Sequence, residues 1–201
     1  MSTSLRTLRM SLAALGLAAA GAAQATTTGF EEFSTGNYSS LIFAGMTITS
    51  TRGFDVVDAA PGNPISGHAL LDYTYGSGGV FRATFAGGAS SFSIGMGDYG
   101  ADDDQGHLEA YDASGHLLSS DSLYVPQGSY TGGMMTVASS APIAYVLFYE
   151  TGSFPGAVYW DQASFTAARS EPASVAMMLG GLAVLGGLRR RRRAGIGRAH
   201  V

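Results

Sequence analysis

Residues 98–106 read Asp98-Tyr99-Gly100-Ala101-Asp102-Asp103-Asp104-Gln105-Gly106, with four carboxylates inside seven residues. Carboxylates this dense repel one another and draw in hard cations, which take oxygen ligands. The spacing is not that of an EF-hand loop. A frame begun at Asp102 and Asp104 places His107 where that loop needs glycine. The stretch therefore reads as a solvated acidic hairpin loop. Asp98, Tyr99, Asp102 and Asp104 are its candidates for a cation-responsive ligand site.

Aromatic side chains supply the second kind of chemistry. Tyr73, Tyr75, Tyr99, Tyr124, Tyr130, Tyr159 and Trp160 are candidates to stack on sugar rings, since each joins an apolar face to a polar tip. Most are expected to pack in the core or at strand edges. Trp160, the only tryptophan, adjoins Asp161. In an alternating strand one of the two faces inward, and Trp160 is the expected core residue. Catalytic signals are thin. His68, His107 and His116 stand in no recognisable motif, and neither a Gly-x-Ser-x-Gly elbow nor a His-Glu-x-x-His pair occurs. The expectation is a protein that is not an enzyme. A glycan-active enzyme with two carboxylates meeting in space is the remaining alternative. Asn37-Tyr38-Ser39 is a formal glycosylation sequon and reads as a turn.

The elements that must position these residues are strands. Short β-like runs are expected at 26–33, 41–51, 54–57, 68–75, 80–85, 91–96, 107–111, 116–123, 131–138, 143–149 and 158–165. Within 41–51, Ile42, Ala44, Met46 and Ile48 share one parity. Asp112-Ala113-Ser114-Gly115 is a hairpin signal, and glycines such as Gly53, Gly87 and Gly88 mark further turns. No stretch between the ends offers an amphipathic helix. The fold class that follows is all-β, a β-sandwich or jelly roll.

The 201-residue chain has no cysteine and no lysine. It therefore has no disulfide framework and no thiolate chemistry. Between residues 26 and 170, fourteen acidic residues face only three arginines, Arg52, Arg82 and Arg169. A domain this acidic repels nucleic acid and anionic membranes. The remaining arginines sit at the two ends. Arg6 and Arg9 precede an apolar run over 10–20, and Ala23-Gln24-Ala25 is a small-x-small cleavage site. Residues 1–25 read as a signal peptide for signal peptidase, with a mature start at Thr26.

The other end combines Ser170-Glu171-Pro172-Ala173-Ser174, an apolar run over 175–188, and Arg189, Arg190, Arg191, Arg192 and Arg193. The uncharged stretch over 173–188 has 16 residues. As a helix it spans roughly 24 Å, short of the ~30 Å hydrocarbon core but able to cross with snorkelling arginines. The arginines stay cytoplasmic under the positive-inside rule. This three-part order resembles the PEP-CTERM sorting tail, with Ser170 in place of the family's first proline and a basic extension over 194–201. The resemblance implies a substrate of an exosortase-like membrane enzyme. Such a protein is held transiently in the membrane and then delivered to the cell surface or exopolysaccharide. The organisation expected is a signal peptide (1–25), an ectodomain (26–168), a sorting tail (169–193) and the extension.

The segments 28–33, 92–100, 108–115 and 158–165 resemble galactose-binding-like jelly rolls, relatives of carbohydrate-binding modules. That resemblance implies a sugar ligand, with extracellular polysaccharide as the partner. It also implies one structural Ca2+ between the first and last strands. Its ligands would be Glu31 or Glu32, of which Glu31 is preferred, and Asp161.

Overall fold

The computed structural model describes residues 24–72 and 78–168, and every regular element within them is a β-strand. The sorting tail, Tyr73, Tyr75 and all of the signal segment before Gln24 lie outside the described residues. Among the described residues no helix is long and apolar enough to cross a membrane.

The strands are β1 (Ala25–Thr28), β2 (Gly36–Phe43), β3 (Met46–Gly62), β4 (Ile65–Asp72), β5 (Phe81–Gly97), β6 (Asp104–Tyr111), β7 (Leu117–Val125), β8 (Gly133–Glu150) and β9 (Tyr159–Ala167). All pairings are antiparallel. The path runs β1-β9-β4-β3-β5-β8-β6-β7, with β2 also on β3 and β9 also on β5.

Three strands are unusually long, with 17 residues in β3, 17 in β5 and 18 in β8. Each serves two layers. β3 pairs with β5 over 46–50 and with β4 over 54–59. Gly53, at φ 84°, makes the bend between the two halves. β5 pairs with β8 over 81–84 and again over 91–96, with Gly87 and Gly88 in between, each at φ 82°. Only glycine takes such angles without strain. The runs expected as separate strands at 80–85 and 91–96, and at 131–138 and 143–149, are thus halves of single bent strands. Gly53 and Gly87-Gly88 turn a strand from one layer into the other and do not end it.

The expected run over 41–51 splits instead. Ala44 (φ 45°) and Gly45 (φ 91°) form a tight turn between β2 and β3. The shared parity breaks there. Ile42 is exposed, while Met46 and Ile48 are buried. The hairpin read at 112–115 is present: Asp112 N–H donates to the His116 carbonyl at 3.0 Å, and Gly115 has φ 83°.

The two layers close on a ring-rich core. Phe81 stacks on Phe148 at 4.9 Å, and Trp160 meets Phe148 edge-on at 5.1 Å. Phe85 reaches Phe165 across the interior at 5.3 Å. β6 carries the alternation that a half-buried strand requires, with Asp104, Gly106, Leu108 and Ala110 inward. The register then brings the loops together. Met96 pairs with Gly133, Asp104 with Val125 and Gly106 with Glu150. Loops 98–103, 126–132 and 151–158 therefore meet at one end of the sandwich.

Candidate functional site

At that end the acidic stretch is folded inward. The backbone N–H groups of Gly100 and Ala101 donate to Asp98 Oδ2 at 3.0 and 3.2 Å, a turn of the kind aspartate favours. Phe154 N–H, from the 151–158 loop, donates to Asp102 Oδ2 at 3.1 Å. Asp103 points outward and accepts from Tyr124 Oη at 2.9 Å and Gln127 N–H at 2.8 Å. Asp104, the first residue of β6, points inward again. The expected solvated loop is not what forms, because Asp98, Asp102 and Asp104 are only 5%, 8% and 1% exposed. Strand-like alternation over 102–104 sends two of three consecutive aspartates inward, and the 151–158 loop closes over them.

One ligand oxygen from each of Asp98, Asp102 and Asp104 lies within 4.8 Å of the others. A fourth carboxylate, outside that set of three, stands at the end of β8, and its charge acts on Asp104. Glu150 is buried, and its Oε2 accepts Gly156 N–H at 2.9 Å. Glu150 Oε1 and both oxygens of Asp104 are buried without a hydrogen-bond partner. Burial pushes the Asp104 carboxyl up to about 7, and the negative charges of Asp98, Asp102, Glu150 and Asp103 add to that. Burial likewise raises Glu150, reinforced by Asp102 and Asp98 and opposed by the Gly156 N–H. Asp103 moves the other way, lowered by its bonds from Gln127 and Tyr124. Glu150 was not among the residues singled out from the sequence. Its signal was parity, since it follows Val146 and Phe148 at steps of two.

Around this cluster stand the exposed aromatics of the described residues: Tyr99, Tyr124, Tyr130 and Phe154. Tyr99 is braced at both ends. Its ring meets Tyr159 edge-on at 5.4 Å, and its hydroxyl accepts Ala60 N–H at 3.0 Å. Tyr124 is tied to Asp103, and Phe154 to Asp102, by the bonds above. Tyr130 belongs to the 126–132 loop, which docks through Gly128 N–H on the Gly100 carbonyl at 2.9 Å. Trp160 is not a platform, being 1% exposed in the core. Asp161 beside it is equally buried, contrary to simple alternation. The reason is an irregularity in β9, where the register with β5 shifts between Ser93 and Gly95 and Gln162 takes φ 50°.

The pair Glu31 and Asp161 sits elsewhere, against β4. β1 stops at Thr28, not at Phe33, so Glu31 and Glu32 lie in a turn and the parity expected for them does not apply. Glu32 Oε1 accepts from Thr28 Oγ1 at 2.6 Å. Glu31 Oε1 accepts His68 N–H at 2.8 Å, and Asp161 Oδ2 accepts Ser66 N–H at 3.1 Å. The two carboxylates thus reach residues two apart on one strand, Ser66 and His68. Burial raises the Asp161 carboxyl, and the Glu31 charge contributes. Unlike Asp104, Asp161 has protein donors on both oxygens, the second being Gln162 N–H at 2.5 Å. The histidines are locally engaged. His68 lies 3.3 Å from Asp58, His116 lies 3.1 Å from Asp112, and His107 stacks on Tyr149 at 5.0 Å.

No family model matches the chain, and no curated protein matches it. Solved structures similar to it include a DUF4465 family protein from Bacteroides caccae, at 10% identity and TM-score 0.46, covering 72% of this chain and 100% of that one. Another is the C-terminal family 22 carbohydrate-binding module of Clostridium thermocellum Xyn10B, at 14% identity and TM-score 0.42, covering 71% and 93%. A third is the enzymatically active domain of bacteriophage CBA120 tailspike protein 4, at 13% identity and TM-score 0.40, covering 62% of this chain and 20% of that one. The chain spans about a fifth of the tailspike chain's length and about a quarter of that of an arabinofuranosidase it also matches.

Proposed function

We propose that this protein is an exported, non-enzymatic glycan-binding domain, with a jelly-roll sandwich presenting its ligand site at the end formed by loops 98–103, 126–132 and 151–158. The observation that supports this most is the gathering of Tyr99, Tyr124, Tyr130 and Phe154 at that one end, where large aromatic faces are left open to water. Such faces, rimmed by fixed polar groups, suit the apolar faces of sugar rings. The acidic surface favours neutral or cationic glycans over anionic ones.

Export and sorting follow from the two ends of the sequence. The small-x-small site before Thr26 supports cleavage by signal peptidase. The tail from Ser170 through Arg193 supports delivery by an exosortase-like enzyme to the cell surface or exopolysaccharide.

Affinity electrophoresis of the exported protein through gels containing neutral and anionic polysaccharides tests the ligand. Retardation by at least one neutral glycan is expected, and free migration through all of them, with or without Ca2+, removes the reading. The intact mass of the exported protein tests sorting. A species that begins at Thr26 and lacks residues 189–193 is expected. A membrane-held species retaining the whole tail, in a host with the exosortase, contradicts it.

A further inference from the structure

The carboxylate cluster is built in a way that a solvated acidic loop is not. Asp98, Asp102 and Asp104 converge from a loop and a strand start, with ligand oxygens within 4.8 Å of one another. Two oxygens bound to one calcium ion stand no more than about 5 Å apart, since each lies 2.3–2.6 Å from the ion. Independently of that triad, Glu150 arrives from β8, buried, with Oε1 lacking any partner. Its other oxygen is held by Gly156 N–H, which fixes the side chain's direction.

Backbone N–H groups serve Asp98, Asp102 and one oxygen of Glu150, but both oxygens of Asp104 and Glu150 Oε1 are left without a donor, and a buried carboxylate without partners is costly. The charges that act on Asp104 are all negative, from Asp98, Asp102, Glu150 and Asp103. Gly152 keeps the space open, because a Cβ there would collide with Glu150 Oε1 and the Asp103 carbonyl oxygen.

We infer that Asp98, Asp102 and Asp104 form a calcium site that fastens the 98–103 loop to the start of β6, with the buried Glu150 carboxylate at the end of β8 adding its charge beside it. The donor set is all oxygen and all carboxylate, which suits a hard cation. Zinc and copper prefer the nitrogen and sulfur ligands that the cluster lacks. Calcium accepts six to eight oxygens in adaptable geometry, whereas magnesium demands a near-ideal octahedron and keeps its waters. The site is separate from the Glu31 and Asp161 pair that lies against β4, whose named oxygens already accept protein N–H bonds. It also stands independently of any glycan bound at the same end.

The test is calcium titration of the full chain, purified in detergent and stripped with chelator, by calorimetry and by thermal unfolding. A saturable calcium heat and a rise in Tm are expected for the wild type. Asp104→Asn and Glu150→Gln should each weaken calcium affinity at least tenfold and abolish the Tm rise. Near-UV circular dichroism should show that both variants keep their packed aromatic core, and Asp98→Asn provides a third variant should either fail. Glu31→Gln should retain the calcium response. No calcium heat in the wild type, or full calcium affinity in Asp104→Asn and Glu150→Gln, would overturn the inference. Loss of the response in Glu31→Gln with retention in Asp104→Asn would place the ion at the Glu31 and Asp161 pair and overturn it equally. None of these readouts involves a glycan, so failure here is distinguishable from failure of the proposed function.

Discussion

Asp103 and Asp104 are neighbours in sequence and opposites in environment. Asp103 is exposed and holds Tyr124 Oη and Gln127 N–H, while Asp104 is 1% exposed with neither oxygen partnered. One residue of strand alternation separates a surface acid that organises a loop from a buried acid that needs a proton or a cation.

The first consequence is a pH dependence in chelator. Asp104 is raised to about 7 in the folded protein, so between its ordinary value of 3.8 and about 7 the folded chain holds a proton that the unfolded chain has lost. Folding stability therefore falls as pH rises through that window, by up to about 1.4 kcal/mol per pH unit for one such group. Glu150, raised in the same cluster, adds to the slope. Urea unfolding at pH 5 and pH 7.5 in EDTA should show the higher midpoint at pH 5. Equal midpoints would mean that Asp104 is ionised in the folded protein at both pH values.

Gly152 gives a steric test of the same corner. A methyl group there meets Glu150 Oε1 and the backbone of Asp103, and the backbone cannot give way cheaply. Gly152→Ala should destabilise the protein by about 1–3 kcal/mol, read as a lower urea midpoint with an unchanged m-value. An unaltered midpoint would show that the 151–158 loop can move aside.

Trp160 tests the core. Its ring lies against Phe148 at 5.1 Å and Phe81 at 6.4 Å and is fully enclosed. Trp160→Ala should cost about 3–5 kcal/mol, whereas Tyr130→Ala, at an exposed site, should cost less than about 0.5 kcal/mol. Comparable losses from the two would contradict the division into core and surface aromatics.

Much of this architecture was legible in the residues. Alternation located most strands, Asp112-Ala113-Ser114-Gly115 marked its hairpin, and Trp160 was readable as core. What local pattern could not show was continuity. A glycine that breaks alternation looks the same whether the chain reverses, as at Gly45, or carries on into the facing layer, as at Gly53 and Gly87-Gly88. The difference lies in pairings with strands far away in sequence, β4 for one half of β3 and β5 for the other. The site was half legible for the same reason. The aspartates of 98–104 were conspicuous, yet their burial depends on the 151–158 loop closing over them. Glu150, some fifty residues away, joins them only through the pairing of β6 with β8.

Glycan binding by the aromatic end is the central claim, and isothermal titration of the exported protein with the glycan that best retards it in gels tests it most directly. Wild type should bind, and Tyr130→Ala and Phe154→Ala should each lose about 1–3 kcal/mol of affinity, roughly ten- to a hundredfold, as truncated stacking residues do. Leu117→Ala, an exposed apolar change near the β6–β7 hairpin, should bind as wild type does. Undiminished affinity in both aromatic variants would contradict the claim that this end of the sandwich is where the protein meets its ligand.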